Sequence, residues 1–166
     1  MNRHSSGYLA KWNATDLTFI SATQTELHGV PWVAVDYDRR EIYAAEWNDC
    51  CKLSIYSIDD FRFLRTLDVS NMPAEIQGSA FYQGDLYVSS NINVSVHKID
   101  VTSGESYFVL SDDYIEKYMY EMEGLTFWDL EEEGKGPGEG RENLGTMHLF
   151  GNFMEVKEKA IRNFKV

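Results

Sequence analysis

Short apolar stretches with strand character punctuate this chain, and some alternate with polar residues at the period of two that gives a strand one buried face. Leu53-Ser-Ile-Tyr-Ser-Ile-Asp and Val94-Ser-Val-His-Lys-Ile-Asp show it most clearly, and they align without a gap at a distance of 41 residues. Helical spacing is confined to residues 111–122, where Tyr114, Ile115, Tyr118, Met119 and Met122 recur on one side. That stretch reads as a connector tucked against the preceding sheet, with a short helix as the alternative. Tyr37-Asp-Arg-Arg-Glu, Gln83-Gly-Asp and Val101-Thr-Ser-Gly-Glu separate the strands as hairpin turns, with Gly104 able to take positive φ.

The strands recur as a larger unit. His28-Gly-Val-Pro-Trp, Gln77-Gly-Ser-Ala-Phe and Glu123-Gly-Leu-Thr-Phe-Trp each open an apolar stretch, with glycines at 29, 78 and 124 spaced by 49 and 46 residues. Second strands follow at Ile42, Leu86 and Met147, third strands at Leu53 and Val94, fourth strands at 63–67 and 106–110. Four antiparallel strands in about 46 residues are the size of one blade of a radial β-propeller, a WD40-like repeat architecture. The reading is all-β, with four-stranded blades at about 28–70, 76–111 and 122–166. The third unit carries an insertion of Glu, Gly, Pro and Lys around 131–142, which reads as a surface loop.

Residues 160–166 align with the third strand of the other units, Ile161 standing where Ile55 and Val96 stand. A strand at 16–22 lies before the first blade and reads as the fourth strand of the last one, with residues 1–15 left as an arm. Three blades do not close a ring, because known propellers need at least four. Two chains about a two-fold axis make a six-bladed homodimer in which each chain's 16–22 strand completes the other's last blade. The competing reading is a piece of a longer protein.

Composition narrows the function. A net charge of −12 argues against nucleic-acid binding, which needs a basic footprint. No apolar run approaches a membrane span, and residues 1–12 hold no secretory signal, so a reducing, cytoplasmic setting is expected. Cys50 and Cys51 are adjacent and read as reduced thiols, and no Cys/His spacing forms a zinc site. No P-loop, dinucleotide or G-x-S-x-G stretch is present.

Residues just before the first glycine of each unit fall near one mouth of a propeller's channel. They are His28, Gln77 and Glu123, with Glu75 and Glu121 two positions before the last two. A dimer presents each twice, a ring of oxygens and imidazoles suited to Ca²⁺ or another divalent cation, a small polar ligand, or a general base. The same groups also serve simply to solvate a water-filled tunnel. Asn48, Asp49 and Asn91, at the ends of second strands, offer further oxygens, although Asn and Asp are ordinary turn residues. Trp32, Trp47 and Trp128 suit either blade packing or stacking on a flat ligand.

The stretch Met122-Glu-Gly-Leu-Thr-Phe-Trp-Asp-Leu, followed by Leu144-Gly-Thr-Met-His-Leu-Phe and a last strand, resembles the closing section of uncharacterised six-bladed propeller proteins. The resemblance covers residues 28–166 and implies the fold more than an activity. The Glu123-Gly124 pair is also similar to the senescence-marker/gluconolactonase propellers. There a glutamate before a glycine on an inner strand binds a divalent cation, and only Glu123 maps onto that ligand set. The leading expectation is a binding or scaffold module with a polar channel. The alternative is a metal-dependent hydrolase of the lactonase or esterase type, with Glu123 as ligand and His28 as base.

Overall fold

The computed structural model describes residues 6–48, 51–111, 119–129, 145–153 and 159–165. Hairpin strands β1 (Tyr8–Trp12) and β2 (Phe19–Gln24) form a two-stranded sheet. Blade I follows with β3 (Val33–Asp36), β4 (Glu41–Ala44), β5 (Lys52–Ser57) and β6 (Phe63–Asp68). Blade II holds β7 (Ile76–Tyr82), β8 (Asp85–Ser90), β9 (Ser95–Asp100) and β10 (Glu105–Ser111). Blade III holds β11 (Met119–Asp129), β12 (Gly145–Phe153) and β13 (Lys159–Lys165). Within each sheet, every strand runs antiparallel to the next in sequence, so each sheet is a meander.

The turns form as their residues dictate. Gln83 and Gly84 both take positive φ, 51° and 85°, which lets a two-residue loop join β7 to β8. Gly104 takes φ 77° between β9 and β10. The Asp36 carboxylate accepts hydrogen bonds from the amides of Asp38 and Arg39, each at 3.0 Å, and so folds the β3–β4 turn.

The sheets stack face to face, and alternation along each strand assigns side chains to one interface or the other. Leu53, Ile55 and Tyr43 of blade I meet Ile76, Leu86, Val88 and Ile99 of blade II. Val94 and Val96 of blade II meet Met122, Leu125 and Met147 of blade III. Leu9 of the hairpin meets Ile42, Ala44, Tyr56 and Phe61 on the other face of blade I. Across blades the first strands come together, β3 meeting β7 and β7 meeting β11, with β8 also reaching β11. The three first strands are the inner strands.

Two expectations change at the N-terminus. Tyr8–Trp12, read as part of a free arm, is strand β1, and the strand near 16–22 is not solitary but pairs with it. The hairpin is moreover a copy of β5–β6 at a constant distance of 44 residues. Leu9 faces Thr23 as Leu53 faces Leu67, and Trp12 faces Phe19 as Tyr56 faces Phe63, with the same bulge one residue before. The turns match too: Leu17 N donates to Asn13 O and Phe61 N to Ser57 O. Below them, Thr25 N donates to Gly7 O and Val69 N to Cys51 O. The hairpin therefore repeats the third and fourth strands of blade I.

Residues 112–118 of the expected connector, the 131–142 insertion, Asp49 and Cys50 lie outside the described residues. Residues 119–122 of that connector belong to β11. Among the described residues no helix is long and apolar enough to cross a membrane.

Candidate functional site

The inner strands approach one another most closely where glycine permits it. A Cβ on Gly78 would collide with the Ser89 hydroxyl and lie 2.7 Å from the main chain of Gly124 and Leu125. Only a residue without a side chain lets β7 and β11 meet this way. Gln77 and Glu123 immediately precede these glycines, so the fold sets them on neighbouring inner strands, both half-buried.

His28 does not belong to that row. Ladder register gives one row across each blade: Ala34–Tyr43–Ile55, Gly78–Ser89–Val96 and Gly124–Phe150–Ile161. The third-strand equivalence of Ile55, Val96 and Ile161 holds, as does that of Gly78 with Gly124. The blade I counterpart of these glycines is Ala34, not Gly29, and a Cβ on Gly29 would meet nothing within 4 Å. The residue in the Gln77 and Glu123 position is accordingly Val33, and His28 lies in the loop before β3.

That loop makes a second polar place. His28, Glu46, Trp47 and Asn48 line an open groove of about 730 Å³, and the His28 amide donates to the Glu46 carboxylate at 2.8 Å. His28 and Asn48 are thus brought together, with Glu46 as a member that sequence reasoning missed. Its only signal was its place beside Trp47-Asn48. Asn91 is held elsewhere: its side-chain oxygen accepts the Met122 amide at 2.8 Å and ties blade II to blade III.

Asn91 is one link in a relay between the loops of the blades. Glu75 N donates to Trp47 O at 2.7 Å, and Asn91 N donates to Glu75 O at 3.1 Å. With the Asn91–Met122 bond, the relay joins all three blades. Glu75 takes φ 55° to present both its groups. The side chain of Glu121 lies outside what is described. Trp32 is buried among the residues between blades I and II, while Trp128 on β11 is exposed.

A further polar cluster, not foreseen, lies between blades I and II. Glu41 accepts bonds from the Tyr43 hydroxyl at 2.7 Å and from the Arg65 guanidinium, whose Nη2 lies 2.9 Å away. The Arg65 hydrogen bond holds the Glu41 carboxyl below its ordinary value, and burial pushes the Tyr43 phenol up. Burial also pushes the His97 imidazole down. Ser79 and Ser89 bury hydroxyls with no hydrogen-bond partner among the described residues. Among those residues, no three His, Cys, Asp or Glu side chains gather closely enough to hold a metal ion.

Solved structures decide the architecture. The chain matches Myxococcus xanthus glutaminyl cyclase with a TM-score of 0.65 and 15% identity, over 97% of this chain and 66% of that one. It matches the RRP9 WD40 repeats with a TM-score of 0.50 and 11% identity, over 94% of this chain and 44% of that one. The fold is that of a β-propeller. Sqt1 of Saccharomyces cerevisiae matches with a TM-score of 0.53 and 11% identity, over 88% of this chain and 36% of that one. The chain thus spans from about a third to two thirds of the length of these matched chains. No protein-family model matches it, and no curated protein matches it in sequence. The likeness to the senescence-marker/gluconolactonase type therefore rests on Glu123-Gly124 alone.

Proposed function

We propose that this chain is a binding and scaffold module, built as propeller blades, whose polar mouth takes a cation such as Ca²⁺ or a small polar ligand. The observation that carries this reading is the close approach of β7 and β11 at Gly78 and Gly124. It sets the oxygen-bearing Gln77 and Glu123 on adjacent inner strands. The groove of His28, Glu46 and Asn48 offers a second set of polar groups. A propeller supports many unrelated functions, so the glutaminyl cyclase likeness contributes the fold and no activity. We read the working assembly as two chains closing a six-bladed ring, which presents the mouth residues twice around one axis.

Calorimetric titration with CaCl₂ alone tests the mouth. Saturable binding is expected, weakened roughly tenfold or more by Glu123→Gln, because an ionised oxygen is lost from a hard-cation site. The circular dichroism spectrum should not change. Identical isotherms for the two proteins would remove Glu123 from the reading. The hydrolase alternative has no geometric observation of its own, since His28 precedes blade I and Glu123 lies on blade III. Metal-dependent ester or lactone turnover lost in Glu123→Gln would reinstate it.

A further inference from the structure

The ladder register locates where a second copy joins this chain, an inference that rests on the two-copy ring. Strand β1 is a third strand by its match to β5. In blades I and II the third strand is paired along both edges, β5 between β4 and β6 and β9 between β8 and β10. Among the described residues β1 carries β2 on one edge only. Beside it, before blade I, runs an open groove of about 730 Å³, lined by Leu9, Trp12, Pro31, Val33, Val35 and Ile42. In blade I the corresponding place next to β5 holds β3 and β4. The groove is therefore the seat of a first-and-second strand pair.

This chain owns such a pair in β11 and β12, whose Gly124–Phe150 row matches Ala34–Tyr43 of blade I. We propose that in the ring β11 and β12 of the second copy enter this groove, and that β12 pairs with β1 in place of its own β13. The two strands are equivalent. Ala160 stands opposite Gly151 on β12, and Ala10 holds the same ladder position as Ala160, both matching Ser54. The replacement keeps a third strand against β12, the five residues of β1 standing in for the seven of β13, and the burial of the hairpin face offsets the shorter ladder.

β1 is the strand that stays in place. Leu9 is buried against blade I, and the Lys11 ammonium reaches Ile58 O at 3.3 Å and lies over the Phe61 ring. The exchange gives four-stranded blades throughout: two shared, and blades I and II of each copy. It also covers the outward face of the hairpin, where Tyr8, Trp12 and Phe19 are now more than half exposed.

The test places Ala10→Cys and Gly151→Cys together in a Cys50→Ser, Cys51→Ser chain, beside a second chain carrying Gly151→Cys and Ala160→Cys. Light scattering should give about twice 19.1 kDa. Mild oxidation should link 10 to 151 between chains and leave 151 and 160 of one chain unlinked. A dimer that closes 151 to 160 within each chain leaves the ring standing and overturns the exchange. A monomer overturns both. Should the cysteine variants fail to fold, amide exchange on the unaltered dimer decides. Protection of β1 with loss at 159–165 is expected, and the opposite pattern defeats the exchange.

Discussion

Leu17 and Phe61 hold the same left-handed backbone, at φ 57° and 59°, in turns 44 residues apart. A side chain in that conformation costs on the order of 1–2 kcal/mol, and glycine relieves it at an entropic cost of about half that. Leu17 is largely exposed, so Leu17→Gly is expected to raise the melting temperature slightly. Phe61 is buried beneath Lys11, so Phe61→Gly should cost about 3 kcal/mol or more in a denaturant titration. Protonation separates two other residues. The folded Glu41 carboxyl lies below its ordinary 4.5, so its contribution is complete above that pH and is lost as pH falls through the folded value. The folded His97 lies below its ordinary 6.5, so stability begins to fall earlier, as pH drops past 6.5. Glu41→Gln should flatten the acid limb of a thermal-stability profile, and His97→Gln the limb near neutrality. At this scale the sequence misled at Gly29, which looked like Gly78 and Gly124. Glycine is required only where backbones crowd; blade I instead seats the small Ala34 in that row, which leaves no glycine to read.

Strands were more legible than single residues. The 41-residue match of β5 to β9 held because both bury residues on alternate positions against the next blade. The second strands aligned two residues out of register in blade I, where Ile42 corresponds to Val88 and not to Leu86. A slip of two keeps every side chain on its own face, so periodicity alone does not reveal it. β1 escaped notice because Lys11 stands where β5 has Ile55, its ammonium lying over the Phe61 ring and reaching a carbonyl. The junction between blades I and II turns on Gly104, where a Cβ would collide with Asp68 O while Ser70 N bonds Gly104 O at 2.8 Å. Gly104→Ala faces both that collision and the positive φ. It should lower stability by about 1–3 kcal/mol, read as a shifted urea midpoint with an unchanged slope.

For the whole molecule, the blade period legible in the sequence matched the stacked sheets, but not how many strands the N-terminal segment contributes. Two strands in that segment, in place of a single closing strand, repeat half of blade I, and the proposed assembly builds on that half. Of the residues expected to share one ring, the glycine pattern places Gln77 and Glu123 on adjacent inner strands, whereas His28 joins Glu46 and Asn48 in a groove that only the fold reveals. The relay from Trp47 through Glu75 and Asn91 to Met122 bears on how such a rim varies over time. Two of its three links run from main chain to main chain, so they survive a change of side chain at 47 or 75. The third depends on the Asn91 carboxamide, without which the Met122 amide loses its acceptor, at a cost of about 1–3 kcal/mol. A saturation library selected only for folding should accept many residues at 46–48 and 75 and almost none but asparagine at 91. Side chains along this rim are thereby free to vary while a single amide keeps its frame.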